Sequence, residues 1–450
     1  MRIADFESIP FWDHALSEPP LALKDFDLGA DGTWSYIVEA PSLWRVKEEH
    51  QRPAVNAALT HLGDKRIGSY KPEPAAFDTL TIANTMSCNL GCTYCYNYSA
   101  LGAPTHPKRS VIEADFAHRA IDKLFNESPA GSPLSLQFIG GEPLIRWESL
   151  RATVDLALTR ADREGRELRV GINTNATLLT EERLRWVNER PVYLYLSYDG
   201  PANLHDANRP TAAGTPSFEL VARNIELFME HYTKPVRSCR MTLDLGKGKF
   251  TELIDDAVAR GFNDVSIGFD SKSFSETPDL LSTVLPDIRD LEIACEAAYR
   301  SGKLFRFSWF NEVWFQLQRG VPRYRPCSAG DGQLAIDPSG KLYPCHRYVG
   351  GESGAVGHIM DPVQPARPER FHENTENADC RACWARRICG GECHAVLDDI
   401  GDSMYRKQVL CVMRRAIFES AIRLFVRFKA NAPDVLANIE RFANAYTMET

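Results

Sequence analysis

Strand-like and helix-like stretches alternate six times between residues 78 and 270, and this alternation limits the fold more than any other feature of the chain. DTLTIANT (78–85) reads as the first strand. The helix EADFAHRAIDKLFNES follows it, with Phe116, Ala120 and Leu124 spaced to share one face. LSLQFIG (134–140) is a second strand, followed by the helix WESLRATVDLALTRADREG. LRVGINTN (168–175) precedes the helix EERLRWVNE, and VYLYLSYDG (192–200) precedes SFELVARNIELFMEHY. VRSCRMTLD, the helix FTELIDDAVARG and the strand DVSIGFD (264–270) complete the series. Repeats at this pitch predict an α/β fold: a parallel sheet with right-handed crossovers, open or curled into a partial barrel.

In such sheets ligands sit at the carboxyl ends of the strands. Each unusual polar motif falls there. Three cysteines follow the first strand, GGEP (140–143) the second, NTNATLL (173–179) the third and SYDGP (197–201) the fourth. Taken singly, each is a turn or a helix cap. Four on one rim describe one site. Asp270, ending the sixth strand, is a candidate acid or base, and equally a helix cap.

Charge and hydropathy exclude several functions. A net charge of −8 offers no basic face to a phosphate backbone, so no nucleic-acid partner is expected. No apolar run reaches the ~18 residues a membrane span needs. The start, MRIADFESIPFWDHALSEPP, has no apolar segment of the signal-peptide kind, which predicts a cytoplasmic protein. Thiols stay reduced there, so the twelve cysteines read as metal ligands rather than disulfides. Cys239 and Cys295 stand alone and read as small buried hydrophobes. Cys88, Cys92 and Cys95 are three thiols within eight residues. A structural zinc site closes with four ligands. Three thiolates on a four-iron cluster leave one iron open to a small molecule.

The spacing C-x3-C-x2-C, with the aromatic Tyr94 before the last cysteine, resembles the radical S-adenosylmethionine (radical SAM) enzymes, and the later GGEP matches that family in order and position. The resemblance implies a 4Fe–4S cluster on Cys88, Cys92 and Cys95 whose open iron chelates S-adenosylmethionine. It also implies a 5′-deoxyadenosyl radical that removes hydrogen from a substrate shielded within the barrel. By position, Gly140, Gly141, Glu142 and Pro143 resemble the stretch whose backbone holds the methionine amino group. Asn173 and Asn175 would meet the ribose hydroxyls, or else cap the helix after Thr180. Ser197 and Asp199 resemble a cofactor-contacting pair. Arg209, in HDANR, is a candidate partner for the cofactor carboxylate, its alternative being a surface arginine.

The last third holds Cys327 and Cys345 flanking the hairpin QLAID–PSG–KLYP, then Cys380, Cys383, Cys389 and Cys393 at C-x2-C-x5-C-x3-C, and finally Cys411. These seven resemble the SPASM extension, which carries two auxiliary clusters. The chain then holds three 4Fe–4S clusters. The family's interleaved order implies Cys380, Cys383, Cys389 and Cys411 on one auxiliary cluster and Cys327, Cys345 and Cys393 on the other. The second is one ligand short, unless Cys239 or Cys295 folds in.

The whole resembles the SPASM subgroup that modifies ribosomally made peptides, including the thioether-forming six-cysteine peptide maturases. It implies a partial (β/α)6 TIM-like barrel with a C-terminal cysteine-rich extension and a small N-terminal α+β segment. The expected divisions are an N-terminal segment over 1–77, the barrel over 78–275, a helical bridging region over 276–326, the SPASM domain over 327–425 and a C-terminal helix over 426–450. Expected partners are a precursor peptide and a flavodoxin- or ferredoxin-type electron donor. TWSYIVEAPSLWRV alternates like a hairpin edge and AVNAALTHLG reads as a short helix, so residues 1–77 form either a leader-recognition element or a packing embellishment. Two other readings remain: a sulfatase-type maturase that makes formylglycine, and a non-catalytic iron–sulfur carrier or zinc scaffold. The missing eighth auxiliary cysteine weighs against the first of these, and the strand-end motifs against the second.

Overall fold

The computed structural model describes residues 76–96, 111–270, 273–274, 279–351, 354–361 and 378–449, with three N-terminal strands, β1 (Leu23–Asp27), β2 (Thr33–Ile37) and β3 (Ser42–Arg45), that form an antiparallel sheet. The short helix expected at AVNAALTHLG lies outside the described residues.

The six expected strands are all present: β4 (Thr79–Thr85), β5 (Leu134–Gly140), β6 (Leu168–Thr174), β7 (Val192–Ser197), β8 (Ser238–Leu243) and β9 (Asp264–Phe269), paired in parallel in that order. Side chains alternate across a strand. Leu80, Ile82, Leu136, Phe138, Val170, Ile172, Leu194 and Leu196 point outward and are buried. The helices that cover them are α1 (Ala114–Glu127), α2 (Trp147–Glu164), α3 (Glu181–Asn188), α4 (Ala202–Asn208), α5 (Phe218–His231) and α6 (Phe250–Ala259). In α1 the buried stripe is Ala117, Ala120, Ile121, Leu124 and Phe125, with Phe116 at its margin. Gly165, at φ +62°, ends α2 in the left-handed conformation that glycine adopts without strain. Cys239 and Cys295 are buried in this helix-side core.

The sheet does not stop at β9. A short β10 (Arg306–Phe307) pairs with β9, and helices α7 (Leu280–Arg300) and α8 (Ser308–Arg319) flank it. At the other edge β11 (Gln333–Ile336) pairs in parallel with β4, and β12 (Lys341–Tyr343) and β13 (Gly357–His358) continue outward. The cysteine-flanked hairpin is therefore part of the barrel sheet. It covers the β4 edge, which would otherwise present unpaired backbone groups. Gly340, at φ +86°, makes its turn, and a Cβ there would lie 2.7 Å from His358 Nε2.

Of three short helices, α9 (Ala378–Ala382) holds Cys380 and α10 (Arg386–Cys389) ends on Cys389, while Cys393 directly precedes α11 (His394–Ile400). They lead into α12 (Met404–Asn431) and α13 (Pro433–Glu449). The division expected at 425/426 falls inside α12; the chain breaks instead at Ala432, before Pro433, because proline lacks the N–H that would continue a helix. Helix α12 packs on α7 and α8, and Trp314 Nε1 donates to Ala421 O at 2.7 Å.

Asp287 of α7 clasps the first turn of α6. Its carboxylate accepts from Phe250 N (2.6 Å), Thr251 N (3.3 Å) and Thr251 Oγ1 (2.7 Å). An external carboxylate here replaces the missing N-cap side chain. Asp287→Ala is expected to lower unfolding stability by about 2 kcal/mol, read by chemical denaturation of the protein. An unchanged midpoint would mean that water serves these amides equally well.

Candidate active site

Chain leaving β4 turns at once into the loop that bears Cys88, Cys92 and Cys95. Main-chain bonds hold it from two sides. Gly91 N donates to Pro210 O (2.8 Å) and Thr93 N to Asn208 O (3.0 Å), while Ala212 N donates to Asn89 O (2.9 Å). From the β5 side Gly141 N donates to Thr85 O and Glu142 N to Ser87 O, both at 2.8 Å. This approach requires glycine. A Cβ on Gly141 would lie 2.0 Å from Ser87 O, and one on Gly140 (φ +130°) 2.1 Å from Thr85 O.

Glu142 is fully buried. One oxygen accepts from Leu144 N (3.0 Å) and Thr174 Oγ1 (2.7 Å), the other from Asn175 N (2.7 Å). Burial raises its pKa and these bonds only partly offset that. Pro143 closes the motif, its carbonyl accepting from Asn84 Nδ2 at 3.1 Å. The N–H groups of Gly141 and Glu142 are thus spent on the cysteine loop. What this stretch has left for a ligand is carbonyl oxygens, which suit a donor such as an ammonium group.

Asn175 is committed as well. Its Nδ2 donates to Asn89 Oδ1 (2.9 Å), and its Oδ1 accepts from Thr177 N (3.1 Å) and Thr177 Oγ1 (2.6 Å). The next helix is capped by Thr180, not by either asparagine. Asn173 faces the barrel interior, half-buried.

A second node forms where β7 and β8 end. Asp199 is fully buried. It accepts from Tyr94 Oη (2.6 Å), Thr242 N (2.9 Å) and Arg209 Nη2 (3.1 Å), with Arg209 Nε 2.9 Å from its other oxygen. Arg209 is 7% exposed, so the surface alternative does not hold. Its guanidinium lies over the Tyr94 ring, 5.3 Å from the centroid. Burial would lower its pKa, but Asp199, Tyr94 and Cys92 outweigh burial and raise it. Tyr94, Asp199 and Arg209, chosen separately from the sequence, meet here beside Cys92. Ser197 lies half-buried on β7, two residues below Asp199.

Asp270 stands half-buried just past β9. Its N–H donates to Leu243 O and its carbonyl accepts from Ser273 N, both at 3.0 Å. Asn89, Thr174, Thr177, Thr242 and His205, whose Nδ1 accepts from Asp199 N at 3.3 Å, were not singled out by the sequence. Asn89, Thr174 and Thr242 act across 88, 32 and 43 residues, on Thr177, Glu142 and Asp199, and such separations leave no local signal.

The later cysteines gather in space. Burial raises the pKa of Cys345 and Cys389, and neighbouring thiols add to it: Cys393 and Cys327 at Cys345, Cys383 and Cys411 at Cys389. Cys380 and Cys383 in turn act on Cys411. Tyr96 connects the first loop to the hairpin: its ring is 6.1 Å from that of His346 and 4.9 Å from the Arg347 guanidinium. Among the described residues, no three His, Cys, Asp or Glu groups converge as tightly as one ion would require. Burial pushes Cys88 up to about 12 and Cys92 up to about 11. These thiols stay protonated until a metal displaces the proton.

Residues 85–267 match the Radical SAM superfamily. The chain is 31% identical over 336 residues to a serine-type anaerobic sulfatase-maturating enzyme of Bacteroides thetaiotaomicron, covering 68% of this chain and 80% of that protein. It is 23% identical over 362 residues to the radical SAM cyclopropyl synthase TigE of Paramaledivibacter caminithermalis, covering 76% of this chain and 73% of that protein. The solved structure of anSMEcpe with bound AdoMet and Cp18Cys peptide shares the fold at a TM-score of 0.62, with 18% identity and coverage of 81% and 99%. Together with the three-cysteine loop and the glycine pair beneath it, these likenesses show that the chain is an enzyme belonging to the radical SAM superfamily.

Proposed function

We propose that this enzyme is a peptide maturase that removes hydrogen from a side-chain carbon of a ribosomally made peptide and joins that carbon to a second side chain. One observation carries the reading: Cys393 and Cys327 act on Cys345, while Cys383, Cys411 and Cys380 act within a second group, and Cys345 follows a hairpin that is itself part of the barrel sheet. The likeness to sulfatase-maturating enzymes, and to a fold solved with a bound peptide, supports a peptide substrate.

When bound, the Cys88–Cys92–Cys95 cluster and S-adenosylmethionine would supply the hydrogen-abstracting radical. This chain's own groups hold the loop, exclude water and offer carbonyls at Gly140 and Gly141 to the methionine ammonium. Cys380, Cys383, Cys389 and Cys411 would hold a second cluster and Cys327, Cys345 and Cys393 a third, with electrons from a flavodoxin- or ferredoxin-type donor. The three-thiol set is one ligand short, and a substrate thiolate is the soft donor that would complete it. That favours a thioether product over a carbon–carbon link. The 31% identity to a sulfatase maturase favours a second reading, formylglycine formation.

The test is anaerobic incubation of the reconstituted enzyme with Cys-containing peptides taken from any short reading frames that neighbour its gene, read by mass spectrometry. A cross-linked peptide loses two hydrogens and keeps its sulfur; formylglycine made from cysteine loses the sulfur. No change in the peptide overturns the maturase reading. Cys411→Ala is expected to abolish product while slow deoxyadenosine formation continues. Loss of both, with the first cluster intact by iron content, would contradict this division of roles.

A further inference from the structure

The inner wall of the barrel, one layer below the cysteine loop, carries a charged and aromatic group that neither the site nor the proposed chemistry uses. On β7 Tyr193, Tyr195 and Ser197 face inward, alternating with core residues Val192, Leu194 and Leu196. On β8 Ser238, Arg240 and Thr242 alternate likewise with Cys239, Met241 and Leu243. Register places Arg240 between Ser197 of β7 and Ser266 of β9.

Arg240 lies over Tyr195, its guanidinium carbon 4.8 Å from the ring centroid. A guanidinium over a ring face can still donate from the edge of its planar fork. Below it Asp264 is fully buried and bonded by Ser238 Oγ at 2.5 Å. The Asp264 carboxylate is 3.6 Å from Arg240 Nη1 and 3.9 Å from Arg306 Nε, so one carboxylate stands between two guanidinium groups at ion-pair rather than hydrogen-bond distance. The Arg240 side chain keeps 36% of its surface accessible although it sits on the inner wall of the sheet.

The position matters. Thr242, two residues further along β8, gives its N–H to Asp199, the node beside Cys92. At about 3.3 Å per residue, Arg240 lies ~7 Å deeper than that node. A side chain held there has its neighbouring carbons facing the place where hydrogen is removed. On the adjoining strands Ser197, the register partner of Arg240, and Asn173, the register partner of Tyr195, offer half-buried hydroxyl and amide groups for which no side-chain hydrogen bond is found within the described residues. Gly171, beside Asn173, is overlaid by Gln137, whose Oε1 would be 2.0 Å from a Cβ at that position.

We propose that Arg240, braced by Tyr195 and Asp264, anchors a substrate carboxylate, so that the peptide is taken with an Asp or Glu side chain, or its C-terminal carboxylate, next to the reacting residue. A planar fork matched to a carboxylate gives two parallel charge-assisted bonds, which an uncharged amide cannot reproduce. The identity of the ligand as part of a peptide rests on the maturase reading; the anion site itself does not.

The test therefore uses probes that are not the substrate. N-acetyl-L-glutamate α-amide and N-acetyl-L-glutamine α-amide are titrated calorimetrically into the full chain with its clusters reconstituted. The acid is expected to bind about tenfold more tightly than the amide. Arg240→Gln should erase that preference, and Arg240→Lys, which keeps the charge but not the fork, should retain part of it. Equal binding of the two probes, no heat from either, or an acid preference that survives Arg240→Gln would each overturn the proposal. Failure of peptide turnover alongside a normal acid preference would refute the maturase reading and leave the anion site standing.

Discussion

Replacing Cys88, Cys92 and Cys95 together by Ala is expected to abolish 5′-deoxyadenosine formation and to remove about four irons per chain. The loop should survive the change. Its fixed points are main-chain bonds, from Gly91 to Pro210, Thr93 to Asn208, Gly141 to Thr85 and Glu142 to Ser87, and none involves a thiol. What is lost locally is the weak bond from Leu90 N to Cys88 Sγ at 3.4 Å and the contact of Asn175 Nδ2 with the same sulfur at 3.8 Å. The later thiols act on one another in sets that do not include Cys88, Cys92 or Cys95, so their iron should remain. Iron and sulfide analysis, with circular dichroism as a check on folding, separates these outcomes. Deoxyadenosine formation in the triple variant would sink the assignment of this loop as the cofactor-cleaving centre.

The barrel was legible because each of its strands obeys a period of two and each helix a period near 3.6, and both patterns are local. The six strands fall within two or three residues of their expected limits. Pairings between distant segments were not legible. Gln333–Ile336 reads as one arm of a hairpin, and nothing in its neighbours says that its other edge pairs with Thr79–Ile82, some 250 residues earlier. The unbroken helix across 425/426 was missed for a related reason. Its burial runs around most of its circumference, from Val409 through Phe428, so no single apolar stripe marks where it begins or ends.

The site divides in the same way. Cysteine spacing and the glycine pair are sequence signals, and the glycines now have a steric reason. The partners that fix the loop are not signals. Asn89 and Thr177 are 88 residues apart, yet bond at 2.8 Å. Arg209 reads as surface or site from its five-residue context, and only the closure of β7 and β8 over Asp199 decides between them.

That node yields the second large effect. Asp199→Asn is expected to destabilise the cofactor-free protein by about 3–5 kcal/mol, because it leaves the Arg209 charge buried and uncompensated. The substitution preserves shape, but an amide offers one acceptor oxygen where the carboxylate serves Tyr94, Thr242 and Arg209 with two. Removing the stranded cation should undo much of the damage, so the double variant Asp199→Asn/Arg209→Met should unfold at a higher temperature than the single one. The comparison must be made without S-adenosylmethionine, since two roles compete for these residues. If they exist chiefly to touch the cofactor, Asp199→Asn should leave the melting temperature of the cofactor-free chain unchanged and weaken only cofactor binding. If they exist chiefly to clamp the loop, stability falls first and binding falls as a consequence. The geometry favours the clamp. Both Asp199 oxygens are already engaged within the protein, and the Arg209 guanidinium lies between that carboxylate and the Tyr94 ring, beside Cys92.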